Sequence, residues 1–250
     1  MPPKPTTWSD AVRLALTTFT VWPLRTGELD RRAAGRAMAL APAVGALLGG
    51  VIALAVTGLR EVTSPLLAGV LGVALAAILT RGMHLDGTAD TVDGLGSYRD
   101  RERALDIMKS PEVGPFGVAA LILVVLVQAL ALAVLPAAAI VIAFATSRLA
   151  VTVACVRGVP AARPGGLGAF VAGSVPVPVA VVGSLAVGAL SLLAIPGRLG
   201  QGPLAVAASL TVVLLLLRHV VRRLGGITGD VLGFLVEAAA CVAVVSLTLY

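Results

Sequence analysis

Seven apolar runs, each near the length that a lipid bilayer demands, constrain this chain more than any other feature. A transmembrane helix needs about 20 mainly apolar residues. The runs lie at 37–59, 64–80, 117–135, 137–156, 168–195, 203–221 and 231–249. Only 13% of the residues are charged, whereas a soluble domain has about 25%. The sequence therefore predicts an all-α, polytopic transmembrane helical bundle of about seven spans, with 1–250 as a single membrane domain.

Prolines and a short segment of mixed polarity add detail to the predicted helices. Pro176 and Pro178 lie inside the fifth run, which is predicted to be broken there because proline has no amide hydrogen to donate and clashes with the preceding turn. Pro136 joins the third and fourth runs in a predicted helical hairpin. Residues 8–21 are too short and too mixed to span, so we predict an interfacial N-terminal helix with Trp8 at the lipid headgroups.

Positive charge is distributed very unevenly between the two sides of this bundle. If the N-terminus is cytoplasmic, the 19 Lys and Arg residues all fall in cytoplasmic segments, except Arg60 and Arg198 on the other side and Arg148 inside a span. The cytoplasmic segments are then 1–36, 81–116, 157–167 and 218–230. Such a bias marks the cytoplasmic side. We therefore predict a cytoplasmic or interfacial N-terminal segment over 1–36 and a cytoplasmic, Asp-rich segment over 81–116.

Three carboxylates in that second segment are the main candidates for a chemical site. Asp86, Asp90 and Asp93 follow one another at i, i+4 and i+7, so a helix would present them on one face. Acids beside a bilayer are costly unless something compensates them. Mg²⁺ is commonly held by one or two carboxylates together with phosphate oxygens. The pattern predicts a membrane enzyme that acts on a phosphate or diphosphate.

A second acidic position begins the last span. After Glu112 the chain contains no acid until Asp230, which is followed only by Glu237. These two share a helix face, and Glu237 lies within an apolar span, where an acid indicates function. The alternative for Asp230 is a simple helix N-cap after Gly229. The economical prediction is one site with two walls, the 86–106 segment and the start of the last span.

Several basic and polar residues are candidate substrate contacts. Arg148 could pair with one of the acids or bind a phosphate in a bidentate manner. His84 is either a base or an interfacial polar group. The cluster of Arg218, Arg222 and Arg223 could attract an anion or simply set the topology. No basic run with interleaved aromatic residues indicates nucleic acid.

Two segments resemble the cobalamin synthase family, the adenosylcobinamide-GDP ribazoletransferases. The first reads His-Leu-Asp-Gly-Thr-Ala-Asp-Thr-Val-Asp-Gly-Leu-Gly over 84–96 and continues through 99–109. The second reads Arg-Leu-Gly-Gly-Ile-Thr-Gly-Asp-Val-Leu-Gly over 223–233, with Glu237 following. Their order and spacing, the chain length and the multi-span profile also agree. Arg148 and Arg157 are similar to the family's mid-chain arginines.

This resemblance implies a reaction, a cofactor and a set of site residues. Adenosylcobinamide-GDP and α-ribazole, or its 5′-phosphate, would give adenosylcobalamin, or its 5′-phosphate, and GMP, with Mg²⁺ as cofactor. The predicted location is the bacterial cytoplasmic (inner) membrane, where other cobalamin-assembly enzymes and further copies of the chain are expected partners. The implied catalytic residues are Asp86, Asp90, Asp93, Asp230 and Glu237, of which Asp86, Asp90, Asp93 and Asp230 would hold the metal. The implied substrate-binding residues are His84, Arg148, Arg157, Arg218, Arg222, Arg223 and Thr228.

The sequence departs from the family pattern at a few positions, and two other functions remain alternatives at this point. Ser110 stands where the family often has Asp, Pro115-Phe116 replaces Thr-Tyr, and residues 19–24 diverge. A different Mg²⁺-dependent membrane transferase, acting on CDP-alcohols or prenyl diphosphates, would also use paired Asp residues near a membrane face. A cation transporter would instead carry acids in mid-span positions of several helices.

Overall fold

The computed structural model describes residues 7–25 and 30–249, and over these residues the protein is helical with two isolated β-bridges and no sheet. Residues 1–6, 26–29 and 250, which include Lys4 of the predicted N-terminal segment, lie outside the described residues. The all-α prediction is confirmed. The helices are α1 (Trp8–Phe19), α2 (Arg31–Ala39), α3 (Ala41–Arg60), α4 (Pro65–Leu79), α5 (Met83–Gly96), α6 (Arg101–Ile107), α7 (Pro115–Val134), α8 (Ala137–Ala154), α9 (Gly166–Val171), α10 (Val177–Leu190), α11 (Gln201–Leu224) and α12 (Gly229–Thr248).

The seven predicted apolar runs all become helices, but they do not have equal length. Among the described residues, α3, α7, α8, α11 and α12 are long and apolar enough to cross a membrane. The run at 64–80 forms α4, which becomes a sixth candidate only when it is joined to α5. The run at 168–195 is broken, as predicted: its first residues belong to α9, Pro176 and Pro178 stand at the start of α10, and α10 with its following 3₁₀ turn is a shorter apolar segment. About seven spans is therefore roughly consistent with the structure.

A sharp bend separates α4 from α5. The two helix axes differ by 90°, and the bend is made by consecutive left-handed residues, Arg81 (φ 57°) and Gly82 (φ 66°). Gly82 adopts this conformation freely because it has no Cβ. As a result α5, which carries the three aspartates, lies outside the five long spans and turns across the end of the bundle.

The centre of the bundle is α8, which is buried along almost its entire length. It packs closely against α3, because Gly45 and Gly49 leave room for the backbone at Phe144 and Val141. Small residues at such contacts let helix backbones approach each other, which is how membrane helices commonly associate. On its other side α8 packs against α12, which also contacts α5, α7 and α11. Contacts with these four helices hold α12 in place, including its first turn.

Contacts between loops show which predicted segments share an end of the bundle. At one end, Arg223 donates to the Arg99 carbonyl at 3.1 Å and Arg101 to the Ala162 carbonyl at 2.7 Å. At the other end, Arg60 donates to the Leu135 carbonyl and Arg198 to the Leu249 carbonyl. These two arginines serve carbonyls that helix ends leave without partners. The predicted grouping of 81–116, 157–167 and 218–230 on one side is therefore matched by direct contacts.

Candidate active site

The first turn of α12 forms one wall of the candidate site. Thr228 is the N-cap, and its hydroxyl oxygen accepts from the Val231 amide at 3.2 Å and donates to Asp230 Oδ2 at 3.1 Å. The Asp230 carboxylate also forms an ion pair with Arg163 at 3.2 Å. Capping is therefore done by Thr228, which leaves the Asp230 carboxylate at the surface of the site with a cation beside it.

The carboxylates of α5 form the facing wall. Asp86 is exposed and Asp90 is half-buried, and the helix between them touches α12 directly. A Cβ placed on Gly87 would lie 2.6 Å from the Asp230 carbonyl oxygen and 2.8 Å from its Cα. Glycine at this position therefore permits the close approach of the two backbones, and the predicted convergence of the two acidic segments occurs here.

Negative charge accumulates around Asp90. Burial, reinforced by the charges of Asp86, Asp230 and Asp93, raises the pKa of Asp90 to about 6, while Arg163 acts in the opposite direction. Like charges that are held close together disfavour ionisation. Four carboxylates are thus near enough to influence one another with one arginine to offset them, which is an environment suited to a bound cation.

Asp93 occupies a different position from the other two aspartates of α5. It is buried, and its two carboxylate oxygens accept the backbone amides of Gly114 and Gly117 at 2.7 and 2.9 Å. Both amides belong to the start of α7. The carboxylate therefore faces the N-terminus of a neighbouring helix.

Glu237 and Arg148 lie deeper, in the interior of the bundle. Glu237 is about 10 Å along α12 from Asp230 and accepts from Gln128 Nε2 at 2.5 Å. Arg148 donates to Ser147 Oγ, and its Nε is buried without a partner. The two charged side chains and Gln128 line one small cavity between α4, α5, α7, α8 and α12. The structure thus groups Glu237 and Arg148 with each other rather than with Asp86 and Asp90.

The remaining predicted contacts are dispersed. His84 is buried among α5 and α12, its Nδ1 has no partner, and burial together with the charge of Arg148 lowers its pKa well below the usual value. Arg157, Arg218 and Arg222 are exposed. Arg223 is used to hold the loop at Arg99. Of the predicted substrate-binding residues, Thr228 is therefore the one that touches the acidic cluster directly.

The donor chemistry at the cluster suits Mg²⁺, although the carboxylates do not form a closed cage. Among the described residues, no three His, Cys, Asp or Glu side chains are arranged to hold a metal by themselves. Mg²⁺ does not require this, because it usually keeps several waters and takes one or two carboxylates plus phosphate oxygens. The mutual repulsion at Asp90 and the open side of the cluster at Asp86 are compatible with that form of binding.

Two functional candidates were missed in the sequence. Arg163, which pairs with Asp230, was counted only as a cytoplasmic charge, and nothing in its spacing connects it to α12. Gln128, which binds Glu237, carried a clearer signal, because it is an amide inside the otherwise apolar run 117–135. A polar side chain in a span usually finds a polar partner in the bundle.

The fold and the site together define the class of protein: a multi-pass membrane enzyme with an acidic site at one end of its helical bundle. The sequence profile of the family described as cobalamin-5-phosphate synthase matches residues 11–248. The chain belongs to this family. The resemblance drawn from the two motifs is thereby confirmed.

Individual relatives agree over almost the full length. The adenosylcobinamide-GDP ribazoletransferase of Frankia casuarinae is 47% identical over 95% of this chain and 94% of the relative. The protein of the same name from Nocardioides is 44% identical over 92% and 94%, and that of Stutzerimonas stutzeri is 38% identical over 94% and 96%. No solved structure gives a significant match to this chain.

Proposed function

We propose that this protein is the Mg²⁺-dependent transferase that joins adenosylcobinamide-GDP to α-ribazole or its 5′-phosphate. The products are adenosylcobalamin, or its 5′-phosphate, and GMP. The proposal rests on membership of the family and on the names of the relatives. One structural observation supports it: the segment of α5 that carries Asp86 and Asp90 packs against the backbone of Asp230 in α12, so that charges from both segments act on Asp90.

The reaction is a displacement at phosphorus. A ribose hydroxyl of the ribazole attacks the phosphorus nearer cobinamide, a new P–O bond forms, the bridging P–O bond breaks, and GMP leaves. The hydroxyl proton passes to a base, for which the sequence offers a carboxylate or His84. Because His84 is buried whereas Asp86 is exposed, the structure favours a carboxylate. Positioning and charge stabilisation dominate such transfers.

Each residue of the cluster has a task in this scheme. Asp86, Asp90 and Asp230 would hold Mg²⁺, which would supply positive charge to neutralise the diphosphate. Arg163 contacts a phosphate oxygen, since its Nη1 is buried without a partner and an unsatisfied donor of this kind is costly unless a ligand uses it. Thr228 orients Asp230 through its hydroxyl. A role for Glu237 or Arg148 at the phosphate stays a prediction, because both lie deeper in the bundle.

The test is an assay of bacterial membranes that contain the protein. They are given adenosylcobinamide-GDP, α-ribazole 5′-phosphate and Mg²⁺, and GMP and the cobalamin product are followed by chromatography. We expect both products in equal amounts, and neither in EDTA. The Glu112→Gln variant, which alters an exposed acid of the same segment, serves as the matched control and should retain activity. Absence of product from folded protein would refute the proposal, and CDP-alcohol and prenyl-diphosphate substrates would then be tried.

Cellular context forms part of the same proposal. The protein lies in the bacterial cytoplasmic membrane with the acidic cluster facing the cytoplasm, as the distribution of Lys and Arg predicts. Association with other cobalamin-assembly enzymes and with further copies of the chain stays a prediction that chemical crosslinking in membranes would check.

A further inference from the structure

Asp93, which its spacing places with the proposed metal ligands Asp86 and Asp90, hydrogen-bonds the start of α7 instead. Asp93 is 8% exposed, and each of its two oxygens accepts one backbone amide, from Gly114 at 2.7 Å and from Gly117 at 2.9 Å. Asp86, by contrast, is exposed and Asp90 is half-buried. The three acids share a helix face, but Asp93 is the one whose carboxylate hydrogen-bonds the start of α7.

The start of α7 is built around this carboxylate. Gly114 is the N-cap of α7 and supplies no side-chain cap of its own. Its φ of −82° and ψ of 173° are open to any residue, so backbone conformation does not require glycine there. Space does: a Cβ on Gly114 would lie 2.5 Å from Asp93 Oδ1 and 2.8 Å from Cγ, and one on Gly117 would also collide with the carboxylate.

This arrangement amounts to a helix cap supplied from another helix. A carboxylate at a helix N-terminus satisfies amides that otherwise lack partners and interacts favourably with the helix dipole. Hydrogen bonds to an ionised acceptor are also stronger than neutral ones. Asp93 therefore ties α5 to α7, two helices that also pack along each other.

The consequence for the site follows from the spacing along α5. Asp90 is one turn before Asp93 and Asp86 is two turns before it, so fixing Asp93 sets the rotation and position of both. Effective catalysis requires reacting groups to be held closely, and a misplacement of about 1 Å can reduce the rate about 100-fold.

We propose that Asp93 is a positioning residue, whose carboxylate caps α7 and thereby holds Asp86 and Asp90 in register with Asp230. This inference rests on the proposed function for its activity measurements. Asp93 is then not a metal ligand, although its spacing places it with Asp86 and Asp90. A positioning residue and a metal ligand give different results in the experiments below.

The first experiment compares Asp93→Asn with Gly114→Ala in the product-forming assay as Mg²⁺ is varied. Gly114→Ala keeps every carboxylate but pushes the cap away. Both variants should lower the maximal rate by about 10–100-fold, while the Mg²⁺ concentration for half-maximal rate stays within about twofold of wild type. A metal ligand would behave otherwise: Asp93→Asn would raise that concentration strongly and Gly114→Ala would not, and this outcome would overturn the proposal.

The second experiment is a double-mutant cycle on thermal unfolding in detergent, which does not depend on activity. The three nearest atoms to a Cβ on Gly114 all belong to Asp93, so Gly114→Ala should be destabilising in wild type and nearly neutral in an Asp93→Ala background. Gly58→Ala, with nothing within 4 Å of its Cβ, is the control and should be neutral in both. Additive effects of the two changes would exclude the cap. If wild type forms no product, the proposed function fails while this cycle still tests the contact.

Discussion

At the scale of single residues, Asp90 has the most unfavourable surroundings of the acidic cluster. It is half-buried and faces the charges of Asp86, Asp230 and Asp93. A group whose charged form is disfavoured in this way reduces the stability of the folded state while it increases affinity for a cation. Such a compromise between stability and function is common at active sites.

Replacing Asp90 by Asn is expected to abolish product formation and to raise the melting temperature in EDTA. The direction of this change follows from the pKa of Asp90, which folding raises from 3.8 to about 6. The ionised carboxylate therefore opposes folding. As a result, the stability of the metal-free protein falls as the pH rises from about 4 to about 6. Asn removes this cost, and each kcal/mol is worth about 2–4 °C. The measurement is thermal unfolding at pH 7.5 with and without Mg²⁺. An unchanged or lower melting temperature in EDTA would contradict it.

Glu237 and Arg148 form the second residue-scale prediction. Both are nine-tenths buried and line the same cavity, so removing one takes away an opposite charge near the other and should be destabilising. Glu237→Leu should therefore lower the melting temperature markedly, and adding Arg148→Met should restore part of the loss. Thermal unfolding of the two single variants and the double variant gives the coupling. Simple additivity would mean that the two side chains do not balance each other.

Some of these residue roles could be anticipated from the sequence and others could not. The spacing of Asp86 and Asp90, and the reappearance of acids at Asp230, correctly indicated two segments that meet. Neither the pairing of Asp230 with Arg163 nor the use of Asp93 on Gly114 could be read from spacing, because each contact joins positions that only the tertiary fold brings together.

At the scale of elements, the contact between α5 and α12 at Gly87 and Asp230 brings the two acidic segments together. Hydropathy predicted α12, and the prolines at 176 and 178 correctly predicted a break. The bend after α4 was not predicted, because it depends on a left-handed conformation at Arg81, which a residue with a Cβ adopts uncommonly. Without that bend, α5 would continue the direction of α4 instead of turning from it by 90°.

A methyl group added at Gly87 should push α5 away from the first turn of α12. In Gly87→Ala the new Cβ would meet the Asp230 backbone, and backbone cannot move aside as a flexible side chain can, so overpacking should cost about 1–3 kcal/mol and the rate should fall by at least about tenfold. Gly50→Ala, where a Cβ meets nothing within 4 Å, is the matched control. Activity and melting temperature are measured for both. Full activity in Gly87→Ala would show that α5 and α12 are less tightly joined than described.

At the scale of the whole molecule, the two ends of the bundle differ in chemistry. One end carries the acidic cluster and most of the arginines. The other carries Arg60 and Arg198, which are both occupied with helix carbonyls. Both arginines at this second end therefore have a structural task, which is to satisfy carbonyls at helix ends.

Membrane orientation can be tested with single cysteines placed at the two ends. Glu112→Cys lies on the acidic end and Leu199→Cys near Arg198, and both positions are exposed. The native Cys155 is buried and Cys241 half-buried, so background labelling should be low. A membrane-impermeant maleimide should label Glu112→Cys only in inside-out vesicles and Leu199→Cys only in spheroplasts. The reverse pattern would place the acidic cluster on the outer side.

The bend between α4 and α5 also limits how this chain can change in length. The bend depends on two consecutive residues with positive φ, so one insertion at Arg81 or Gly82 would change the angle between α4 and α5 and shift the aspartates of α5 relative to Asp230. A loop such as the one around Leu199 has no such restriction, since it contributes nothing to the cluster. We therefore regard the short connection at 80–82 as the part of the chain where insertions and deletions are least tolerated.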